Sequence, residues 1–495
     1  MKFYLCIFCF SVILLGCGTT HTVKKSAVNA VVESPVIAHN PLIQLQKDIN
    51  SILADSLFIP ARASIKVATL NDGKVLYERD SKALMHPASN IKLLISAAAL
   101  SLLDTNFQFK TSVFIDEISI DGKIAGNIYL KGYGDPDLTT SDLDSLAYAI
   151  SKMGITDIVG NLIVDDSFFD DEYWGAGWTW DDESDPDAPY INALSVNKNC
   201  IRTNISTDSN NVLLSIEPTT DFVTVINKAS IAVDSIRVPL NIKRLYLNNP
   251  NTIVVEGELF PFCNVAQKFS LRRPEFYTGT LFKESLQHSG ISFNGEIVSG
   301  AVPDGLHEIA QHLHPIEQVI TNMNKTSDNL SAENVLKVIG AVKNNVPGSA
   351  KNGLVFVKQF ISKLGIDTTK ISIADGSGVS RYNLLSADQL VQFLIEMYKQ
   401  PKIFPMFYHS LPIAGVDGTL SKRMYTYPAA CNLRAKTGTL NGVSCLSGYV
   451  QTRDGEMLVF SIMMQNFITS AANYRQVQDK ICTLLAGFSR KNIVN

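Results

Sequence analysis

Residues 432–450, NLRAKTGTLNGVSCLSGYV, contain the pattern from which the fold of this chain can be predicted. Polar and apolar residues alternate on both sides of residues 438–441, which predicts two antiparallel strands joined by a tight turn. The first strand carries Lys436, Thr437 and Gly438, which offer a cation, a hydroxyl group and a position without a side chain. Such a strand suits an anionic, peptide-like ligand, although Lys-Thr-Gly by itself favours an ordinary turn.

Length and composition limit the class of protein. A chain of 495 residues is too long for one compact core, and its length suggests about three domains. The formal net charge of −4 gives no reason to expect nucleic acid as a partner. The eight histidines are scattered without the spacing typical of metal ligands, so we expect no metal site. The five cysteines beyond residue 17 predict free, buried thiols, with a single disulfide as the alternative.

The N-terminus is typical of an exported protein. Lys2 precedes an apolar run over residues 3–15, which is too short for a permanent membrane span and fits a signal peptide. The ending of residues 1–17 resembles a bacterial lipobox, in which Cys17 would carry lipid after cleavage. The alternative is an ordinary signal peptide cut a little later. Residues 18–40 lack periodicity and suggest a tether, so we expect a membrane-anchored periplasmic lipoprotein.

The rest of the chain divides into three parts. Residues 41–106 begin with an amphipathic helix and a hairpin, which predicts an antiparallel sheet covered by helices. Residues 107–306 contain many short strand-like runs bounded by Gly, Asp, Asn or Pro, and we expect no long amphipathic helix there. Helical patterning returns in residues 307–495. The sequence therefore predicts an α+β domain, formed by the first and third parts, with a large, mostly β insertion.

A serine and a lysine begin the apolar segment over residues 93–103. Pro87 before a run of strong helix formers places a helix start near Ser89, and the run is apolar on every side. Lys92 would therefore be buried near the positive end of the helix dipole, which favours the neutral amine. Because Lys92 lies on the same helix face as Ser89, the pair is a candidate nucleophile and base. The alternative is that Ser89 caps the helix and Lys92 extends to solvent.

A third polar motif, Ser327-Asp328-Asn329, precedes a predicted helix over residues 330–342. In a turn or at a helix start, the hydroxyl of Ser327 and the amide of Asn329 can face one cleft. Ser327 could then relay a proton, while Asn329 fixes Lys92 or a substrate carbonyl. The alternative is an ordinary helix cap.

Two clusters of residues within the insertion each allow two interpretations. Trp174, Trp178 and Trp180 are the three tryptophans of the protein, and they could line a ligand groove or form a local hydrophobic cluster. Residues 165–171 include four carboxylates, a pattern that favours a solvated acidic turn over a metal site.

The order of the three motifs, Ser-x-x-Lys, Ser-Asp-Asn and Lys-Thr-Gly, resembles that of penicillin-binding proteins and serine β-lactamases. The long separation between the first two is similar to the class C low-molecular-mass penicillin-binding proteins, the D-alanyl-D-alanine carboxypeptidase/endopeptidase family. Residues 132–136, 165–169, 375–383, 411–420 and 436–440 also look like recurring segments of that family. The resemblance implies a penicillin-binding/β-lactamase-like transpeptidase domain, with an antiparallel sheet flanked by helices and an insertion after the nucleophile helix.

The resemblance also implies an activity. Ser89 would be acylated by peptidoglycan stem peptides or by β-lactam inhibitors, and Lys92 would be its general base. Ser327 and Asn329 would lie across the cleft, with Lys436 completing the catalytic group. Water would release the acyl group, so no cofactor is expected. A β-lactamase-like hydrolase and a catalytically silent penicillin-binding lipoprotein are the alternatives.

Binding roles follow from the same resemblance. Thr437 would bind the terminal carboxylate together with the lysine before it, on the strand that also contains Gly438. The backbone N–H groups of the nucleophile and of Thr439 would form an oxyanion hole. Arg381 and Asp165 match family positions that would bind the charged stem peptide.

Overall fold

The computed structural model describes residues 40–116, 121–233, 237–345 and 347–491. The expected signal peptide, the lipidated Cys17 and all of the tether except Asn40 lie outside these ranges. No helix within the described residues combines the length and the apolar character needed to cross a membrane.

The described chain contains both α-helices and β-strands. The α-helices are α1 (Pro41–Ile52), α2 (Ile91–Leu102), α3 (Thr140–Lys152), α4 (Pro274–His288), α5 (Ile316–Thr326), α6 (Asn329–Asn344), α7 (Ala350–Lys363), α8 (Ala387–Tyr398), α9 (Phe404–Ser410) and α10 (Ala471–Gly487). The strands are β1 (Arg62–Thr69), β2 (Val75–Arg79), β3 (Gln108–Ile115), β4 (Lys123–Ile124), β5 (Ile128–Gly132), β6 (Asp157–Ile158), β7 (Leu162–Asp165), β8 (Cys200–Thr207), β9 (Val212–Glu217), β10 (Thr224–Ile231), β11 (Asn241–Arg244), β12 (Thr252–Leu259), β13 (Asn264–Ser270), β14 (Ser292–Phe293), β15 (Ile297–Ser299), β16 (His307–Pro315), β17 (Arg434–Leu440), β18 (Val443–Gln451) and β19 (Met457–Gln465).

The sheet that carries the Lys-Thr-Gly strand is antiparallel, with the strand order β17-β18-β19-β1-β2. Alternate side chains of its strands enter two different cores. Leu446 and Ile462 face the core shared with α1 and α10, whereas Tyr449 and Met463 face the core shared with α2, α6 and α8. Because both faces of the sheet are covered by helices, β18 and β19 are buried almost throughout, and most of their residues are apolar. The predicted antiparallel sheet flanked by helices is confirmed.

The hairpin of β17 and β18 forms as predicted, but its turn lies further along the chain. Leu440 pairs with Val443, so the connection is the two-residue loop of Asn441 and Gly442. Gly442 has a φ of +72°, which a tight hairpin loop favours and which glycine adopts without strain. The expected turn at residues 438–441 is therefore wrong, because these residues, apart from Asn441, continue β17.

The segment between α2 and α5 is rich in strands but also contains two long helices. Its largest sheet is mixed, with the order β15-β7-β5-β3-β16. The expectation that this segment has no long amphipathic helix is wrong. Thr139 caps α3 by accepting a hydrogen bond from the backbone N–H of Asp142, and Leu143, Leu146 and Ile150 recur at helical spacing on its buried face. These signals of a helix were present in the sequence.

The last strand of this mixed sheet lies beyond the expected boundary at residue 306. Strand β16 pairs with β3 along its whole length, from His307 opposite Ile115 to Pro315 opposite Gln108. Helix α5 begins at the next residue, Ile316. The transition to the second part of the helical domain therefore lies after Pro315, because the pairing partner of β16 is the first strand of the insertion.

The five cysteines of the described chain are unpaired. Cys200, Cys445 and Cys482 are buried, as expected, but Cys431 is exposed and Cys263 is half-buried.

Candidate active site

Ser89 and Lys92 lie at the start of α2, where the structure joins a short turn to a buried helix. Ala88–Asn90 forms a 3₁₀ turn directly before α2, and Lys92 lies in the first helical turn. Lys92 is fully buried, and its Nζ lies 3.0 Å from the Oγ of Ser89. The alternative in which Lys92 extends to solvent is therefore wrong, because the helix around it is enclosed by the core.

The hydrogen bonds of Lys92 orient its amine toward Ser89. Its Nζ donates to the Oδ1 of Asn329 and to the backbone oxygen of Ser377, both at 2.6 Å. These two oxygens can only accept hydrogen bonds. A neutral amine would use its two N–H groups on them and direct its lone pair toward the hydroxyl of Ser89. The geometry thus suits removal of the Ser89 proton by Lys92.

Burial makes the neutral form of Lys92 accessible. Desolvation lowers the pKa of Lys92 to about 8, against the opposing effect of the carboxylates of Asp375 and Glu333. Glu333 is itself buried and accepts hydrogen bonds from the backbone N–H groups of Gly376 and Ser377. Burial, followed by the charge of Asp375, raises the pKa of Glu333 to about 7.

The Ser-Asp-Asn motif connects two helices. Ser327 follows the last residue of α5 and has a left-handed backbone with a φ of +64°. Asp328 caps α6, since its side chain accepts a 2.7 Å hydrogen bond from the N–H of Ser331. The helix cap is therefore Asp328, and the hydroxyl of Ser327 is left to accept a 2.8 Å hydrogen bond from the Nζ of Lys436.

Strand β17 forms the opposite wall. It lies at the edge of its sheet, where Arg434 and Ala435 pair with Ile413 and Pro412. Beyond these residues, the outer side of the β17 backbone can pair with a peptide. Lys436 is fully buried, and burial, followed by the charge of Lys92, holds the pKa of Lys436 well below its usual value. The Oγ1 of Thr437 bonds to the Oγ1 of Thr419 at 2.8 Å.

Gly438 allows β17 to lie against the turn that carries Ser89. A Cβ atom at this position would lie 2.8 Å from the backbone oxygen of Pro87 and 3.2 Å from the backbone nitrogen of Ser89. These distances are shorter than ordinary carbon contacts, so a side chain would push the strand away. The absence of a side chain at Gly438 thus fixes the distance between Ser89 and the end of β17 near Thr439.

These elements enclose a cleft of about 290 Å³. It is lined by Ser89, Asp182, Asp185, Asp187, Ala188, Thr326, Ser327, Asn329, Val379, Thr419, Thr437, Thr439 and Leu440. The inserted segment contributes one wall, where the Nδ2 of Asn329 donates to the backbone oxygen of Asp187 at 2.5 Å. The described structure thus brings all three motifs to one cleft.

The loop over residues 375–380 packs against the turn that carries Ser89. Asp375 accepts hydrogen bonds from the N–H groups of Gly378 and Ser380, at 2.9 and 2.7 Å, and from the Nε1 of Trp178 at 3.0 Å. A Cβ atom on Gly378 would lie 2.0 Å from the backbone oxygen of Ala88, so the loop contacts the turn directly. The hydrogen bond from Trp178 to Asp375 therefore connects the insertion to the loop over residues 375–380.

Comparisons with known proteins identify the family of the chain. A model of the D-Ala-D-Ala carboxypeptidase 3 (S13) family matches residues 45–488. The chain belongs to this family. The resemblance to class C low-molecular-mass penicillin-binding proteins and the predicted fold class are therefore confirmed.

Individual relatives match most of the chain. A D-alanyl-D-alanine carboxypeptidase of Actinomadura sp. (strain R39) is 32% identical over 473 residues, covering 90% of this chain and 85% of that protein. The crystal structure of penicillin-binding protein 4 (dacB) from Haemophilus influenzae superimposes with a TM-score of 0.78 at 26% identity, covering 90% and 99% of the two chains. A second structure of that protein, with a TM-score of 0.71 at 25% identity over 88% and 97% of the chains, is a complex with a β-lactam.

Two residues expected to bind substrate are not among those that line the cleft of this S13 peptidase. Asp165 is fully buried at the end of β7, where it pairs with Lys131 at 2.9 Å and accepts the N–H of Val302 at 2.7 Å. The expected binding role of Asp165 is wrong, because its oxygens are occupied within the insertion. Arg381 is exposed and donates to the backbone oxygen of Asn441 at 2.7 Å, at the tip of the hairpin.

Three carboxylates that line the cleft, Asp182, Asp185 and Asp187, were not among the residues predicted from the sequence. They follow the tryptophan cluster, and the run of acidic residues over 181–187 was a signal that could have found them. Trp178 packs beside them with Ala188, whereas Trp180 is 80% exposed. Trp178 therefore belongs to a local hydrophobic cluster next to an acidic wall, formed by Asp182, Asp185 and Asp187, which lines the same cleft as Ser89.

Proposed function

We propose that the protein removes the terminal D-alanine from peptidoglycan stem peptides through an acyl-enzyme on Ser89. The observation that carries the proposal is the arrangement of Lys92. Its two acceptor oxygens, on Asn329 and Ser377, direct the lone pair of its neutral amine toward the Ser89 hydroxyl.

In the acylation step, the Oγ of Ser89 attacks the carbonyl carbon of the penultimate D-alanine, while its proton passes to the Nζ of Lys92. Backbone N–H groups of Ser89 and Thr439 stabilise the oxyanion, a contribution typically worth about a hundredfold or more in rate. The C–N bond then breaks, and a proton delivered through Ser327 converts the leaving nitrogen into the amine of free D-alanine. Water attacks the resulting ester, which releases the shortened peptide and restores Ser89.

Strand β17 supplies the binding surface in this proposal. Its free edge pairs with the backbone of the stem peptide, and the terminal carboxylate lies near Lys436 and Thr437. Lys436 is buried with a lowered pKa, and an arriving carboxylate favours its charged form. The anionic end of the substrate would therefore supply the charge that stabilises the proton on Lys436.

The acidic wall suits a substrate that carries a free amino group. Asp182, Asp185 and Asp187 line the cleft, and a cationic side chain of the stem peptide would lie between them and β17. The same chemistry releases a neighbouring strand when the leaving amine belongs to a cross-link. The acidic wall therefore supports endopeptidase activity beside carboxypeptidase activity.

Labelling with a fluorescent penicillin tests the nucleophile. The native chain and Ser101→Ala, an exposed serine on the same helix, should label and should release D-alanine from a peptide ending in D-Ala-D-Ala. Ser89→Ala should do neither while keeping its circular dichroism spectrum. Equal labelling of all three proteins would refute the role of Ser89, and rapid turnover of penicillin without a lasting adduct would favour the β-lactamase alternative.

We also infer that the protein is exported and anchored by lipid on Cys17. The support is the apolar run over residues 3–15 followed by Gly16 and Cys17. Incorporation of labelled palmitate into the native chain, and its loss in Cys17→Ser, tests this anchor. A native chain that is exported without label would show an ordinary signal peptide.

A further inference from the structure

A group of potential metal ligands lies outside the catalytic cleft. His312 and His314 are two residues apart on β16, so both side chains face the same side of the strand. Asp142, in the first turn of α3, packs against that side. Among the residues that the structure describes, these three bring their ligand atoms within 4.8 Å of one another. The third ligand, Asp142, is 170 residues from His312 in the sequence, so the spacing of the histidines alone did not predict a metal site.

The distances within this cluster match a tetrahedral metal site. The Nε2 atoms of His312 and His314 are 3.4 Å apart, and the Nε2 of His312 lies 3.5 Å from the Oδ1 of Asp142. Ligands about 2.0–2.1 Å from a tetrahedral zinc ion lie about 3.4 Å from one another. The Nε2 of His314 lies 4.0 Å from the other oxygen of Asp142, Oδ2, which is longer than this ideal and would shorten on metal binding.

A buried carboxylate orients one of the two imidazoles. The Nδ1 of His314 lies 2.8 Å from the Oδ2 of Asp135, whose other oxygen accepts the N–H of Asp137 at 3.1 Å. An ionised carboxylate can only accept, so the Nδ1 of His314 carries the proton. Its Nε2 therefore presents a lone pair toward His312 and Asp142. A carboxylate behind a histidine in this way is the usual outer partner of a metal-bound imidazole.

The charge and rigidity of the cluster also favour a cation. Asp135 and Asp142 bring two negative charges, and their ion-pair partners among the described residues are His312 and His314. The Oδ2 of Asp142 accepts hydrogen bonds from the N–H and Oγ1 of Thr139, at 2.8 and 2.7 Å, which hold the carboxylate in place. A divalent ion would balance the two charges without a change in the backbone.

We propose that His312, His314 and Asp142 bind a divalent transition-metal ion, with Zn²⁺ as the ion that best fits two imidazoles and a carboxylate. His312 and Asp142 are about one-fifth exposed, which leaves a fourth position open to water. The ion would join α3 to β16. Helix α5 begins directly after β16 and ends one residue before Ser327. The ion would therefore stabilise the strand and helix that lead to Ser327, and it would take no part in the reaction.

Metal binding by the purified, metal-stripped protein tests this site. Titration with Zn²⁺ should show one tight site, and Co²⁺ should give the intense visible absorption of tetrahedral coordination. His312→Gln and His314→Gln should each weaken binding by about a hundredfold or more. Asp135→Asn, which keeps all three ligands, should weaken it by about 10–100-fold. His307→Gln removes an exposed histidine at the start of the same strand and should bind as the native protein does.

Thermal unfolding gives an independent measurement. Zn²⁺ should raise the melting temperature of the native protein and of His307→Gln, and it should leave that of the His312→Gln/His314→Gln double variant unchanged. Circular dichroism of the metal-free proteins checks that each variant folds. Equal Zn²⁺ affinity in the native and double-variant proteins would overturn the proposal, because the ion would then lie elsewhere. Absence of binding below millimolar Zn²⁺ would overturn it as well.

Discussion

Acylation of Ser89 should depend on pH through the protonation of Lys92, because only the neutral amine can accept the hydroxyl proton. Burial lowers the pKa of Lys92 to about 8. The rate should therefore rise roughly 50-fold from pH 6 to pH 8 and change by less than about twofold from pH 9 to pH 10. A lysine with the ordinary pKa of about 10.4 would instead give about a sevenfold rise over the last interval.

Substitution of the buried carboxylate of Glu333 should shift the pH dependence of acylation. The charge of Glu333 favours the protonated form of Lys92, and Glu333→Gln removes that charge with little change of shape. We expect the inflection of the profile to fall by up to about one pH unit, equivalent to about 1.4 kcal/mol. Glu317→Gln, which changes an exposed residue in the first turn of α5, should leave the inflection unchanged.

The measurement is single-turnover acylation by a fluorescent penicillin, followed by stopped flow from about pH 6 to pH 10. Ser89→Ala supplies the background rate of penicillin breakdown at each pH. A rate that keeps rising above pH 9, or one that is flat below pH 8, would refute the assignment of Lys92 as the base. An identical inflection in Glu333→Gln and the native protein would refute the electrostatic explanation.

Three further substitutions follow from the structure. Gly438→Ala should slow acylation more than tenfold, because its Cβ would lie 2.8 Å from the backbone oxygen of Pro87, and a normal rate in stopped-flow measurements would contradict this close contact. Asp185→Asn should lower kcat/KM for a stem peptide with a free side-chain amine but not for its acetylated form, and equal effects on both peptides would count against an acidic wall. Ile462→Ala, in the buried centre of the sheet, should lower the free energy of unfolding by about 2–5 kcal/mol in denaturant titrations, whereas Ile468→Ala, on the surface, should change it by less than about 0.5 kcal/mol.

Local features of the chain could be predicted from the sequence because they depend on neighbouring residues. Ser89 and Lys92 share a helix face through their spacing alone, and the apolar run after them implied burial. The alternation around Lys436 likewise predicted a strand, and the order of the motifs indicated the family. The turn between β17 and β18 was misplaced because several polar residues near Gly438 suit either a turn or a strand end.

Contacts between distant segments could be decided only by the tertiary structure. Which acidic residue faces the cleft depends on how the insertion folds back, so Asp165 was chosen although Asp182 lines the cleft. The approach of β17 to Ser89, and that of Asp142 to His312, likewise depend on how separate layers pack. The sequence by itself thus determined the three motifs and the local elements that carry them. The tertiary structure decided which of them meet, because burial of the shared core, rather than any local preference, brings such distant segments together.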